Sequence, residues 1–269
     1  MVDSQTVFIG IDPTAGRRPL NYAILDSRLR ILAQGAGDLQ AVLAALAGYE
    51  VAVCAVDAPQ SRNGGLLMLP EVRQRYGLRP YSTTWSQFKV CEYLLRQRGI
   101  GIYNTPLDEQ LVKSWMQLGW ALYDRLRGQG YQPRAKPPSV GPVEADAPRT
   151  FLEVHPHACY TVLLGHLPYN KNTLEGRLQR QLLLAESGVD VPDAMEVFEE
   201  ITRHRVLAGT LEFRDLLTHD QLDALVSAYT AFLAATRPRQ VTWVGDEAEG
   251  QIVVPVVTMK ERYARSKQQ

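Results

Sequence analysis

Val7-Phe8-Ile9-Gly10-Ile11-Asp12-Pro13 is an almost unbroken apolar run that closes on one carboxylate and a proline. Such a strand is buried on both faces of a sheet, and its last residue carries an acid past the sheet edge. Taken alone, Asp12 is equally well placed to cap a turn before Pro13, because Asp bonds its own backbone at such positions. The balance shifts with Val51-Ala52-Val53-Cys54-Ala55-Val56-Asp57-Ala58-Pro59, which repeats the pattern of apolar strand, Asp and then Pro. Two buried strands that deliver an acid at the same end can build a site.

Between these two runs the pattern is that of a meander followed by a helix. Leu20 to Asp26 and Arg30 to Gly35 read as strands joined by a turn of hairpin length at Ser27-Arg28-Leu29. Asp38 sits where a helix N-cap belongs, Leu39, Val42, Leu43 and Leu46 follow at helical spacing, and Gly48 stops the helix. After Asp57 the character changes. From Gln60 to Pro148 come Gly64-Gly65, the arginines Arg62, Arg73, Arg75 and Arg79, and the aromatics Tyr76, Tyr81, Trp85 and Phe88. Helices are expected over Phe88 to Arg98 and Leu107 to Arg127, each ending at a glycine, and Pro133 to Pro148 reads as an exposed linker. Interleaved basic and aromatic residues suit a single-stranded nucleic acid, with guanidinium groups on phosphates and rings under bases. For any single one of these residues, a core of aromatics under solvated arginines is the commoner reading.

The composition of the 269-residue chain, 45% hydrophobic and 22% charged, is ordinary for a globular enzyme. Its formal net charge of zero gives no global field to draw it to nucleic acid or an anionic membrane, so a polyanionic substrate must be held by local patches. Cys54, Cys91 and Cys159 are widely separated, odd in number and without metal-ligand spacing, which argues for reduced thiols. With no basic-then-apolar leader and no apolar run near the roughly 20 residues of a membrane span, a cytoplasmic location is expected.

Further along, Thr150-Phe151-Leu152-Glu153-Val154-His155-Pro156 is again a buried-looking strand with an acid near its end. Glu153, His155 and His157 alternate, which on a strand puts them on one face. Lys171, Arg177 and Arg180 form a cationic patch at a helix start, either to hold phosphates or simply to be solvated. Asp193 to Val206 reads as a charged amphipathic helix. In the next helix, opened by Thr218 or His219, Asp220 and Asp223 stand three apart near the N-terminal turn. Complementing the helix dipole explains Asp220. It explains Asp223 less well, because Ala224, Ser227, Ala228 and Ala231 suggest a helix lying close on the sheet, where a buried carboxylate is costly unless it binds something.

Together, Ile9-Gly10-Ile11-Asp12, Val56-Asp57-Ala58-Pro59, Glu153-Val154-His155-Pro156, Glu175-Gly176-Arg177 and His219-Asp220-Gln221-Leu222-Asp223-Ala224 resemble an uncharacterised family of predicted RNase H-like nucleases, domain of unknown function 429. More distantly, the order of acids is similar to that of RuvC-type resolvases. The resemblance covers nearly the whole chain. It implies one α/β domain over residues 1–269, a mixed five-stranded RNase H-like sheet with helices on both faces. Helical insertions are expected at about 60–148 and 160–217, and a C-terminal β-hairpin over Val241 to Val257. In that fold the fourth strand runs parallel to the first, which brings Asp12 beside Asp57.

The function implied is metal-dependent hydrolysis of phosphodiester bonds in DNA or RNA. Its catalytic carboxylates would be Asp12, Asp57, Glu153, Asp220 and Asp223, and Lys171, Arg177 and Arg180 would bind substrate. Converging carboxylates raise one another's pKa and call for a divalent cation, and oxygen-only ligands point to Mg²⁺ or Mn²⁺. Two ions about 4 Å apart fit in-line hydrolysis, with Asp12 bridging both, Asp57 and Asp223 holding one each, and Asp220 or Glu153 completing a shell. Two other classes stay open. Asp12-Pro13-Thr14-Ala15-Gly16 partly resembles the phosphate turn of actin-like and sugar-kinase-like ATPases, although only one such unit is present where those proteins need two. In the other class the acids are structural remnants of a catalytically inactive nucleic-acid-binding module.

Overall fold

The computed structural model describes residues 6–14, 18–78, 84–138, 147–196, 203–210 and 215–266. The opening run forms β1 (Val7–Asp12), with every residue buried. β2 (Leu20–Leu25) and β3 (Ile31–Gly37) complete an antiparallel meander. α1 (Leu39–Leu46) then starts on Asp38, whose Oδ1 accepts the Ala41 N–H at 2.8 Å. It returns the chain to β4 (Ala52–Val56), which lies parallel to β1 with Ile11 opposite Val56.

Among the described residues the sheet has eight strands, not five, in the order β3-β2-β1-β4-β6-β8-β7. β6 (Arg149–Val154) runs parallel to β4. Along its outer edge β6 pairs with the two-residue β5 (Gln132–Pro133) and then with β8 (Gly250–Val254). β8 and β7 (Thr242–Asp246) are the anticipated C-terminal hairpin, joined to the sheet as its far edge.

Helices cover both faces. On one, Val7, Ile9, Ile11, Cys54, Val56 and Phe151 pack against α1 and α4 (Ser114–Gly128). On the other, Phe8, Val53, Ala55, Leu152 and Val154 pack against α5 (Pro156–Leu164), α6 (Leu174–Glu186) and a long helix, His219–Thr236. Each fully buried Ile, Leu or Phe contributes about 1.5–3 kcal/mol of transfer free energy, so the two faces together carry the fold.

The long helix lies directly on β1, as its small residues suggested. A Cβ at Gly10 would stand 1.9 Å from the Ala224 carbonyl oxygen and 2.5 Å from the Ala228 nitrogen, so this crossing admits only glycine. The helix opens on a capping box between Thr218 and Gln221.

The inserted segments are helical but shorter than their sequence pattern. α3 covers Val90–Gln97, with the short α2 (Pro70–Arg75) before it. α4 begins at Ser114, because Glu109–Leu111 forms a separate 3₁₀ turn. Arg79, Tyr81, part of the 133–148 linker and most of the 193–206 block lie outside the described residues. A short helix at Arg203–Leu207 is present. No helix among the described residues is long and apolar enough to cross a membrane.

Candidate carboxylate site

Strand parity decides which acids meet. Asp12 follows Phe8 and Gly10 onto the face covered by the long helix, and Asp57 follows Val53 and Ala55 onto the same face. The Asp57 N–H donates to the Ile11 carbonyl at 2.9 Å, which fixes the two strand ends side by side. Asp223 comes down from the long helix one residue before Ala224, the residue that touches Gly10. Three elements thus bring Asp12, Asp57 and Asp223 together.

Their electrostatics bear this out. Burial pushes the Asp12 carboxyl well above its ordinary range, and the charges of Asp57 and Asp223 push it further, against the Thr14 N–H and Lys171. Asp223 is also raised, by burial first and then by Asp57, with the Lys171 ammonium opposing. Lys171 Nζ lies 2.6 Å from Asp223 Oδ2. Burial lowers the Lys171 pKa, but Asp223, Asp12 and Asp57 outweigh it and hold the ammonium charged.

Asp12 Oδ1 accepts the Thr14 N–H at 2.8 Å. Thr14 is held at φ 52°, a conformation few non-glycine residues adopt, and its hydroxyl donates to the Arg18 and Pro19 carbonyls. Backbone strain is thus kept next to the candidate site.

Asp57 Oδ1 faces His155 Nδ1 at 3.4 Å, while His155 Nε2 donates to the Gly101 carbonyl at 3.0 Å. With an acceptor against each nitrogen, the doubly protonated ring is favoured. Burial lowers the His155 pKa, but the hydrogen bond and charge of Asp57 raise it overall. Among the described residues, Asp12 Oδ2, Asp57 Oδ2 and Asp223 Oδ1 carry no donor. Donors of this kind suit a hard divalent cation. As the side chains stand, however, no group of three or more His, Cys, Asp or Glu among the described residues converges on a metal position.

Two of the five candidate acids stand apart. Glu153 lies opposite Val56 in the sheet and shares the face of Phe151, so it points away from Asp12 and Asp57. It is fully buried and accepts from Lys89 Nζ at 3.4 Å, the Gln60 N–H at 2.7 Å and the Tyr103 hydroxyl at 3.0 Å. Asp220 pairs with Arg18 at 2.7 Å and His219 at 3.1 Å, a separate cluster one turn before Asp223.

The arginines of the cationic patch are also committed elsewhere. Arg177 donates to the Leu216 and Leu217 carbonyls, just before the long helix. Arg180, only 2% exposed, donates to the Tyr169 and Gly176 carbonyls and lies over the Tyr160 ring. Of the three basic residues expected to meet substrate, Lys171 is the one that forms an ion pair with one of these acids among the described residues.

His155 and His157 do not share a strand face, because the strand ends at Val154. His155 is the N-cap residue of α5 and His157 lies in its first turn, where burial and the neighbouring His155 push its pKa down to about 4. Pro156 at the first helical position was the signal for this boundary.

A second buried cluster, with no pattern in the sequence to announce it, lies under the loop after β4. Lys89, Glu92, Glu153 and Glu249 are all essentially inaccessible. Glu249 accepts N–H groups from Gly64, Leu66 and Val90, and so ties the β7–β8 turn to that loop and to the start of α3. Glu92 accepts from the backbone of Lys89 and from Thr105, yet burial pushes its carboxyl up to about 7.

Comparison with curated proteins and with solved structures gives no match. The family model described as "Protein of unknown function (DUF429)" matches residues 10–249, which span β1 to the β7–β8 turn and contain every acid discussed above. The chain belongs to the DUF429 family.

Proposed function

We propose that the chain is a nuclease that hydrolyses phosphodiester bonds of DNA or RNA with a hard divalent cation, Mg²⁺ or Mn²⁺, held by Asp12, Asp57 and Asp223. The observation that carries this reading is the meeting of three carboxylates from two strand ends and a helix, Asp12 and Asp223 buried and Asp57 half-buried, where burial first and the neighbouring acids next raise the pKa of Asp12 and Asp223. Carboxylates gathered against their mutual repulsion are reasonable where a cation neutralises them. The strand order β3-β2-β1-β4-β6, antiparallel across the meander and parallel beyond it, supports an RNase H-like core.

When bound, such a cation acidifies a water and stabilises the leaving oxygen of the phosphodiester. The chain's own residues do the positioning. Asp12 and Asp57 offer their open oxygens from rigid strand ends, and Thr14 and His155 fix the rotation of the two carboxylates. Lys171, 43% exposed and anchored on Asp223, faces both the acids and solvent, where it can meet a phosphate. Asp220 and Glu153, each held by its own cationic partner, serve the scaffold.

The test is cleavage of single-stranded, duplex and junction DNA and of RNA in Mn²⁺, by the native protein and by Asp12→Asn. Cleavage is expected from the native protein and is lost in the variant; equal activity in the two refutes the assignment. Nucleic-acid binding without cleavage by either favours the inactive binding module, a reading that the Lys171–Asp223 ion pair also accommodates.

A further inference from the structure

We propose that the cleft beside the Lys171 turn receives an unpaired base of a nucleic-acid strand, stacked on the ring of Tyr169. The inference rests on the nucleic-acid reading above and needs no bound ion. Its first support is the ring itself. Tyr169 is 56% exposed, and among the described residues no other Phe, Tyr or Trp is exposed to this degree. It lines a cleft of about 890 Å³ between the α5–α6 connection and the residues around Arg265, a volume in the range that ligand pockets occupy.

A lone exposed tyrosine is ordinary on a protein surface, but this one is held. Its N–H donates to Gln179 Oε1 at 2.8 Å and its carbonyl accepts from Arg180 Nη1 at 3.0 Å, so neighbouring side chains of α6 grip both backbone groups of one residue. Gly176 lets the Asn170 carbonyl approach to where a Cβ would stand only 1.9 Å away, and the Thr173 N–H and hydroxyl close the turn onto that same carbonyl. On the other side, the Leu167 N–H donates to the Ala264 carbonyl at 3.0 Å. A ring on so fixed a backbone loses little freedom when a partner stacks on it, which leaves more of the contact for affinity.

The second support is where the turn leads. Lys171, two residues on, reaches Asp223 at 2.6 Å. Two residues of chain span at most about 7 Å, so a strand whose phosphate meets Lys171 can lay a neighbouring base on Tyr169. Arg265 adds a cation to the cleft, and the one acid among its lining residues, Glu175, is exposed. In a duplex each base is already stacked between its neighbours, whereas an unpaired or extruded base has a face to offer. The substrate class is therefore a single strand, or the single-stranded part of a branched molecule.

Fluorescence anisotropy of a short labelled oligothymidine in EDTA, beside a duplex of the same length, tests this without any metal. The native protein is expected to bind the single strand more tightly than the duplex. Tyr169→Ala is expected to weaken single-strand binding by about 5- to 150-fold, the worth of one ring–base stack, while Tyr169→Phe keeps the ring and stays within about two-fold of native. Both variants should melt at the native temperature, because the ring is exposed, which separates lost stacking from lost folding. Native-like binding by Tyr169→Ala, or a duplex bound as tightly as the single strand, overturns the proposal and leaves the hydrolase reading standing. No binding of either nucleic acid by the native protein removes the proposal and counts against the nucleic-acid reading as well.

Discussion

Replacing Gly10 by alanine adds one methyl group at the point where β1 and the long helix touch. The new Cβ would lie 1.9 Å from the Ala224 carbonyl oxygen, 2.5 Å from the Ala228 nitrogen and 2.9 Å from the Ser227 Cβ. Two of these are backbone atoms, which cannot swing aside as a side chain does. The helix must retreat by about 1 Å before the shortest contact becomes tolerable, and it is packed on β1, β2 and β4 at once. Overpacking commonly costs about 1–3 kcal/mol, and a rigid obstacle puts this case at the upper end or beyond. For a domain of this size that is a fall in Tm of about 6–12 °C. Asp223 directly precedes Ala224, so the retreat also carries it away from Asp12 and would weaken Mn²⁺ uptake by the proposed site. Gly48→Ala, with nothing within 4 Å of its new Cβ, is the control and melts at or slightly above the native temperature. Differential scanning calorimetry and Mn²⁺ titration of both variants decide the matter. A Gly10→Ala protein that melts within about 2 °C of native and takes up Mn²⁺ normally refutes the close-packed crossing.

Three further outcomes are expected. Because the folded-state pKa of Asp12 is raised, its contribution to stability is present at low pH and is lost as pH rises from the ordinary carboxylate range, near 4, through the folded value. Metal-free Tm should therefore decline as pH rises above the ordinary carboxylate range, with Glu92 contributing in the same sense up to about 7, and Asp12→Asn should flatten the slope; an equally steep slope in the variant counts against the raised pKa. Arg180→Ala should cost about 3 kcal/mol in melting experiments, since it leaves a cavity and the Tyr169 carbonyl unpaired, whereas a phosphate-binding arginine would leave Tm alone and weaken nucleic-acid binding. Lys89→Met should cost about 3–5 kcal/mol by stranding the buried Glu153 carboxylate, and adding Glu153→Gln should recover part of the loss; strictly additive penalties would show that the pair is not coupled.

The parts of the fold that could be read from sequence are those where burial leaves a periodic trace. β1 and β4 are continuous apolar runs because helices cover both of their faces, and their terminal acids stood out against that background. Asp223 was legible through the small residues that follow it, which exist because the helix presses on Gly10. Glu153 was not, because whether an acid near the end of β6 faces Asp57 or turns away depends on register. That register is set by pairing Val56 with Glu153 rather than by anything in the local sequence. Arg177 and Arg180 misled for a related reason. Composition shows a cationic helix start but not whether its guanidinium groups meet solvent or backbone carbonyls. The edge strands β7 and β8 were anticipated as a hairpin, but their docking onto β6 needs only two residue pairs, Glu153 with Ile252 and Val154 with Val253, too few to leave a pattern.

The Glu249 carboxylate has a consequence for the order in which the molecule comes together. It is bonded to amides that lie 183 and 185 positions earlier in the chain, so these bonds at Gly64 and Leu66 cannot form until the β7–β8 hairpin has been synthesised and docked. Closing a ring of that size is entropically slow compared with forming the β1–β3 meander, whose contacts are local. The nascent protein would therefore build its meander early and fasten the Gly64-Gly65 loop last. A chain cut before Glu249 should retain much of its sheet while protease reaches that loop freely.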